Sequence, residues 1–330
     1  MQLRSDCSIV GRATQPGISV ITIRVAASGV SNTLDFPKAV QVNGPTTDYQ
    51  NGTLQNVPLG TVVNDFPSVR YWTPGGDLSI AWSYRVQSGS LAPGLSLDPV
   101  TGRVSGTLQT VGVYSALIVA TLQTQFGTFE TSPTSYGVNV DVPVVRYDNV
   151  GTAYVSVPYT NTPWLQGTHL PDAALSNVTF SPALPPGLSV NTAGVISGSP
   201  TAELPSAQMH TVTATLTQGG VSGATQGTLN LSVLSPVYIR YAFSNTPQGT
   251  PLNLVPIVDQ RVPLSPGATM NYSQGSGSCV LPPGVSIDGP TGVVSGTSPI
   301  TGYFSCTLNV DITNNGVSWT DSAILSFAVY

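Results

Sequence analysis

Apolar and polar residues alternate along most of this chain with a period of two. Tyr114, Ala116, Ile118 and Ala120 fall on one face of an extended segment, and Phe304, Cys306, Leu308 and Val310 do the same further on. Tyr136-Val138-Val140, Leu229-Leu231-Val233 and Ile324 to Val329 form another set. Period-two alternation is the mark of a half-buried β-strand, because successive side chains leave a strand on opposite faces. The runs are short, and Gly, Pro, Asn and Thr-Gly signals separate them. No run reaches the ~18 consecutive apolar residues that a membrane-spanning helix needs. The first thirty residues hold no basic stretch followed by an apolar core. Ile18 to Val25 reads as a strand interrupted by Ser19, Thr22 and Arg24, so no secretory leader is expected there.

The alternating segments recur as a repeat. Leu91-Ala-Pro93-Gly94-Leu-Ser-Leu-Asp98 is followed by Thr101-Gly102-Arg-Val-Ser-Gly106. Leu184-Pro-Pro186-Gly187-Leu-Ser-Val-Asn191 is followed by Gly194-Val-Ile-Ser-Gly198. Leu281-Pro-Pro283-Gly284-Val-Ser-Ile-Asp288 is followed by Thr291-Gly292-Val-Val-Ser-Gly296. A partial fourth copy leads the chain. Leu3 to Gly11 matches Val190 to Gly198, and Pro16-Gly17 through Val25 copies Val111-Gly112 through Ala120. The pattern predicts three whole modules at 44–141, 142–235 and 236–330, preceded at 1–43 by the second half of another. The strands missing from that half come either from upstream sequence or from another subunit. The joins, near Val42-Asn43, Asp141-Val142 and Ser235-Pro236, are short, so the modules are expected to abut semi-rigidly.

Each piece of the repeat has a physical reading. Leu-x-Pro-Gly ends one strand and turns the chain, with Pro fixing φ and Gly permitting φ > 0. Leu-Ser-Leu is a short half-buried strand, and Thr-Gly is a tight turn with Gly in the left-handed region. Each first half shares a Tyr followed by Gly-Thr: Tyr49, Tyr147 and Tyr241. Many short strands in units near 100 residues indicate an all-β chain of tandem immunoglobulin-like β-sandwiches.

Composition narrows the function. Only 8% of the 330 residues are charged and the net charge is -5. The ten cations, nine Arg and Lys38, are scattered. A nucleic-acid partner would need them gathered into a patch, so none is expected. Glu occurs twice, which excludes coiled coils and helical bundles. With 40% hydrophobic residues the chain can bury a core.

The string from Ser181 to Thr201 resembles the signature of Ig modules found in tandem in large bacterial surface proteins, adhesins and some phage virion proteins. They are related to dystroglycan-type cadherin-like modules. The resemblance covers all three modules and the leading half, and is weak over residues 44–80. It implies an Ig-like sandwich with a spacer, adhesive or assembly role, and it supplies no catalytic residues. It also implies calcium at module junctions as an alternative use of Asp98 and Asp288. Calcium wants six to eight oxygens, and this chain has no Asp-x-Asp and no Asp-rich linker. The recurrent Asp98, Asn191 and Asp288 therefore read as caps on the Thr-Gly turns, and no cofactor is expected.

Other candidate chemistry is sparse. His169 and His210 are the only histidines, and no triad can be built from them. His210 aligns with Ala116 and Cys306 at an inward strand position, which suits a hydrogen-bonded structural role. Of the three cysteines, Cys279 and Cys306 are the candidate disulfide. It would close a 26-residue loop and stabilise by about 3 kcal/mol in an oxidising compartment. Cys7 is then unpaired or intermolecular. Tyr71-Trp72, Trp82, Trp164 and Trp319 could form sugar-stacking platforms; Trp72 and Trp164 lie in Pro/Gly-rich loops, whereas alternation places Trp82 in a core or on a sheet surface.

These readings describe a non-enzymatic extracellular or cell-surface protein whose modules form a stalk or fibre. The alternative is a self-assembling subunit of a filament or phage virion, its half-module completed by strand addition. Expected partners are copies of itself or adjoining Ig-like modules, or a host-surface protein or glycan.

Overall fold

The computed structural model describes residues 1–330 except 1, 6–7, 11–16, 27, 30, 71–80, 125–126, 149–151 and 276–279. Among the described residues there is no helix; strands of 2 to 15 residues joined by turns and loops make up the fold. The fold is all-β, a tandem set of immunoglobulin-like sandwiches, as the alternation predicts.

The chain forms two compact units. The first holds Met1–Pro143 with Gly167–Ala173 and Thr217–Gly223; the second holds Val144–Gln166, Ala174–Leu216 and Ala224–Tyr330. In the first unit, Gly112–Thr124 and Thr134–Asp141 pair antiparallel. Ala81–Gly89 flanks the first of these antiparallel, and Thr53–Pro58 flanks the second in parallel. Facing them is a short sheet of Leu95–Leu97, Val104–Thr107 and Val62–Asp65. The core between these layers includes Val63, Val104, Leu108, Ile118, Tyr136, Val138 and Val140. Full burial of one such side chain is worth about 1.5–3 kcal/mol.

The second unit repeats this plan twice. Val221–Leu234 neighbours Leu204–Gln218, which neighbours Ala174–Ser181, and Thr152–Tyr154 runs parallel to Val221–Leu234. Gly302–Asn314 pairs antiparallel with Val317–Val329, with Thr269–Gln274 antiparallel on one edge and Ser244–Thr246 parallel on the other. The short sheets are Tyr159–Asn161 with Ile196–Gly198 and Leu188–Val190, and Leu252–Leu254 with Val294–Gly296 and Val285–Ile287. One apolar cluster contains Val155, Leu231, Val233, Val237, Ile312 and Trp319, so the second and third repeats share a core.

Local sequence sets the long hairpins. Gly219 and Gly220 have φ of 55° and 72°, and Asn315 and Gly316 have φ of 51° and 77°. Two consecutive left-handed residues make the turn whose twist matches paired strands, and Gly-Gly and Asn-Gly are the residues that tolerate it.

The leading segment has four strands: β1 (Gln2–Leu3), β2 (Ile9–Val10), β3 (Gly17–Ala26) and β4 (Thr33–Val42). β1 pairs with β2 and β3 with β4, both antiparallel.

Candidate functional site

The repeat motif is a scaffold whose parts interlock. Gly94, Gly187 and Gly284 have φ of 92°, 89° and 80°. A Cβ at any of them would overlap the carbonyl oxygen of Thr107, Ser199 or Thr297 in turn. Gly106, Gly198 and Gly296 are the reciprocal partners, since a Cβ there would overlap the carbonyl of Gly94, Gly187 or Gly284. The two glycines of each copy thus let two backbones touch. The structure also explains the recurring tyrosine. Tyr49, Tyr147 and Tyr241 each donate a 2.6 Å hydrogen bond to the buried carbonyl of Gly102, Gly194 or Gly292. Burial holds all three phenols above their ordinary pKa, so they remain donors.

The recurrent Asp and Asn cap these turns. Asp98 Oδ1 accepts from the Val100 and Thr101 amides at 2.8 and 3.1 Å, and Asn191 Oδ1 from Ala193 and Val195 at 3.0 and 2.9 Å. Asp288 Oδ1 accepts from the Thr291 amide and hydroxyl at 2.9 and 2.7 Å. Hydrogen bonds from Thr101 and Val100 lower the pKa of Asp98, and those from Thr291 lower that of Asp288. Among the described residues no three His, Cys, Asp or Glu side chains gather into a metal-holding group.

A second recurrent arrangement was not visible in the sequence: a joint. Gly60 and Ser156 occupy the same place in successive repeats, each left-handed, with φ of 82° and 61°. The Gly60 amide donates to Leu108 O at 2.9 Å and the Ser156 amide to Pro200 O at 2.8 Å. In the first unit the Gln218-Gly219 turn sits against Gly60, so closely that a Cβ at 60 would overlap Gln218 O. Gln218 is buried, and its Oε1 accepts from the Leu170 amide at 3.0 Å. In the second unit the aligned Asn314 is buried too. Its Nδ2 donates to Ser156 Oγ at 2.7 Å, and its Oδ1 accepts from the Ser265 amide and hydroxyl at 3.0 and 2.5 Å. Trp319 Nε1 adds a 3.3 Å bond to Ser235 Oγ. The sequence signal was an amide side chain standing just before each Gly-Gly or Asn-Gly turn.

The leading segment is open. Among the described residues no further strand pairs with β1–β4, and none of the apolar cores contains a residue from 1–43. Val25, Leu34 and Phe36 are 44%, 65% and 53% exposed. The Arg24–Asp35 ion pair, at 2.8 Å, lies across the hairpin in open solvent, where screening leaves it little weight.

His210 is fully buried, with Nδ1 2.7 Å from Pro182 O. A carbonyl only accepts, so Nδ1 carries the proton and the ring is placed structurally. Cys306 is buried and disulfide-bonded, with its partner outside the described residues. Cys7 and Cys279 also lie outside them, as do Tyr71 and Trp72. Trp164, expected in a Pro/Gly-rich loop, sits instead in strand Pro163–Gln166 opposite Arg146, because Pro163 starts an edge strand there. Its side chain is exposed. Trp82 stacks on Tyr84 with centroids 6.4 Å apart, and Trp319 is buried in the joint.

Residues 142–233 match the family model described as "Putative Ig domain". The repeated sandwich plan defines the class, a tandem of immunoglobulin-like sandwiches, and the match falls on the second repeat. A search of curated proteins finds no match. Similar solved structures include the I67–I69 I-band fragment of titin, at 12% identity over 88% of this chain and 99% of that one, with a TM-score of 0.30. The three N-terminal domains of the bacteriophage RB49 Highly Immunogenic Outer Capsid protein share 13% identity over 87% and 98%, with a TM-score of 0.34. Drosophila N-cadherin EC1-4 shares 11% over 95% and 83%, with a TM-score of 0.23.

Proposed function

We propose that this chain is a non-enzymatic structural or adhesive protein of the cell surface or extracellular space, its modules jointed into a stalk. The observation that carries this reading is the joint, built twice from aligned residues around Gly60 and Ser156. Each joint buries an amide side chain and sets the turn of one repeat against the loop of the one before it, by close backbone contact at Gly60 and by hydrogen bonds at Ser156. Adjoining modules are then the first partners, and a host-surface protein or glycan is the external one. The repeat's carboxylates and glycines are occupied in turns, which supports a role without catalysis or a bound cofactor.

Small-angle scattering of the wild-type chain and a Gln218→Ala/Asn314→Ala variant tests this. A stalk with fixed joints predicts a wider distribution of maximum dimensions in the variant, with the strand content unchanged. Identical distributions would show that these side chains do not fix the joints.

A second reading is favoured by a different observation, the exposed apolar face of β3–β4. On that reading the chain is a self-assembling subunit of an extracellular filament or virion, its half-module covered by strands from elsewhere. Sedimentation and electron microscopy of the whole chain separate the two: ordered polymers support assembly, and a monodisperse monomer rejects it.

A further inference from the structure

The three following repeats show which strands flank a hairpin like β3–β4. β3 and β4 pair in the register of the closed hairpins: Gly17 opposite Val42 corresponds to Gly112 opposite Val140 and Gly302 opposite Val329. The three glycines share an unusual backbone, with φ of 145°, 147° and 151°. By that register Ile23 and Val25 take the places of Leu308 and Val310, which are wholly buried. In the closed repeats three first-half strands supply the cover. One runs parallel to the second hairpin strand, as Thr53–Pro58 and Ser244–Thr246 do. One runs antiparallel to the first, as Ala81–Gly89 and Thr269–Gln274 do. A third joins the short sheet, as Val62–Asp65, Tyr159–Asn161 and Leu252–Leu254 do. The corresponding edges of β4, β3 and β2 have no partner strand among the described residues.

The register also places Lys38, the one lysine of the chain. It stands opposite Ile21, where Tyr136 stands opposite Ala116 and Leu325 opposite Cys306. Tyr136 and Leu325 are buried, whereas Lys38 is exposed. Covering this face buries an ammonium group, which is costly unless an opposite charge meets it. The first repeat shows such a charge in the first-half strands. Asp65 is buried on Val62–Asp65, the strand whose Val63 shares a core cluster with Tyr136, and Asn161 and Leu254 hold its place in the other two repeats.

We propose that β2, β3 and β4 are an acceptor for a polypeptide segment of the first-half Ig type. The segment adds one strand to each of β2, β3 and β4 and carries a carboxylate that meets Lys38. This deepens the assembly reading and rests on it for the biological setting. Strand addition supplies main-chain hydrogen bonds, and the buried ion pair supplies selectivity.

The test uses the whole chain with residues 44–92 as a separate fragment, because that segment carries all three strand types and Asp65. Amide exchange over 17–42 is followed by mass spectrometry. Addition of the fragment is expected to slow exchange there at least tenfold. A fragment carrying Asp65→Asn is expected to bind at least fivefold more weakly, and Lys38→Met in the chain to abolish that difference. To exclude mere weakness, the fragment is also fused ahead of Met1 by a flexible linker, which raises its effective concentration to the millimolar range. Exchange over 17–42 that stays fast in the fusion overturns the acceptor. Equal binding of the wild-type and Asp65→Asn fragments overturns the carboxylate requirement. Failure of the assembly reading is distinguishable: a chain monomeric on its own, yet protected by the fragment, keeps the acceptor and rejects self-assembly. Polymers whose 17–42 amides stay unprotected do the reverse.

Discussion

The Tyr147 hydroxyl donates a 2.6 Å hydrogen bond to the carbonyl of Gly194, 47 residues away, and so ties the first half of a repeat to its second. Tyr49–Gly102 and Tyr241–Gly292 repeat the bond. A buried carbonyl with no donor carries its full desolvation penalty, so this contact counts for more than its mean worth. Tyr147→Phe keeps the ring and removes only the donor. It is expected to cost about 1–3 kcal/mol. Chemical denaturation followed by amide exchange over 188–198 reads the loss in the repeat concerned.

Gly198→Ala puts a Cβ into the carbonyl of Gly187 at a backbone φ of 135°. Neither backbone can withdraw without breaking the Leu188–Gly198 pairing. The substitution is expected to destabilise by about 1–3 kcal/mol, mostly through overpacking and backbone strain. A thermal unfolding scan checks it, with Gly220→Ala as the control. A Cβ at Gly220 meets nothing within 4 Å, although its φ of 72° makes that change strained in its own right.

Asn314→Ala leaves the Ser265 amide and Ser156 hydroxyl without their partner inside a buried joint. A loss of about 1–3 kcal/mol is expected. Gln218→Ala should cost less, because Gln218 Nε2 has no partner among the described residues while both ends of the Asn314 amide are used. Equal losses in parallel urea titrations would contradict this ranking.

Acid should open the turns unequally. The carboxyls of Asp98 and Asp288 lie below the ordinary value in the folded chain. A depressed folded pKa means the stabilisation is complete above the ordinary pKa and lost as pH falls through the folded one. Asn191 holds the same place and does not titrate. Below about pH 4, amide exchange is therefore expected to rise in the 98–103 and 288–293 turns before the 191–195 turn.

Peptide mapping without reductant is expected to recover Cys279 joined to Cys306, with Cys7 alkylated. Alkylation of both Cys279 and Cys306 would reject that pairing. Cys306 joined to Cys7 would reassign the bond.

Much of this was legible in the sequence, for identifiable reasons. Ala116, Ile118, Val138 and Val140 alternate because one face of a strand meets a core, and all four are buried. The turn caps at Asp98, Asn191 and Asp288 act within a few residues, so local spacing shows them. Trp164 was harder, since Pro and Gly mark edge strands as well as loops. The joint residues Gln218 and Asn314 left only an amide side chain before a Gly-Gly or Asn-Gly turn, a weak signal because a polar residue beside a turn is ordinarily solvated.

The sequence by itself determined the strands, the turns and the repeat, because side-chain alternation and glycine dihedral freedom operate over two to four residues. Its period also carried the repeat's second-half pattern into residues 3–25. Tertiary structure alone decided why the motif has two glycines, why each first half keeps a tyrosine, and how the turn of one repeat meets the loop of the one before. Those are contacts between groups 12 to 159 residues apart, such as the backbones of Gly94 and Gly106 and the Asn315 side-chain amide with Ser156 O. No local period encodes such a distance; only the packed sandwich brings the partners together and makes their burial cost or stabilise.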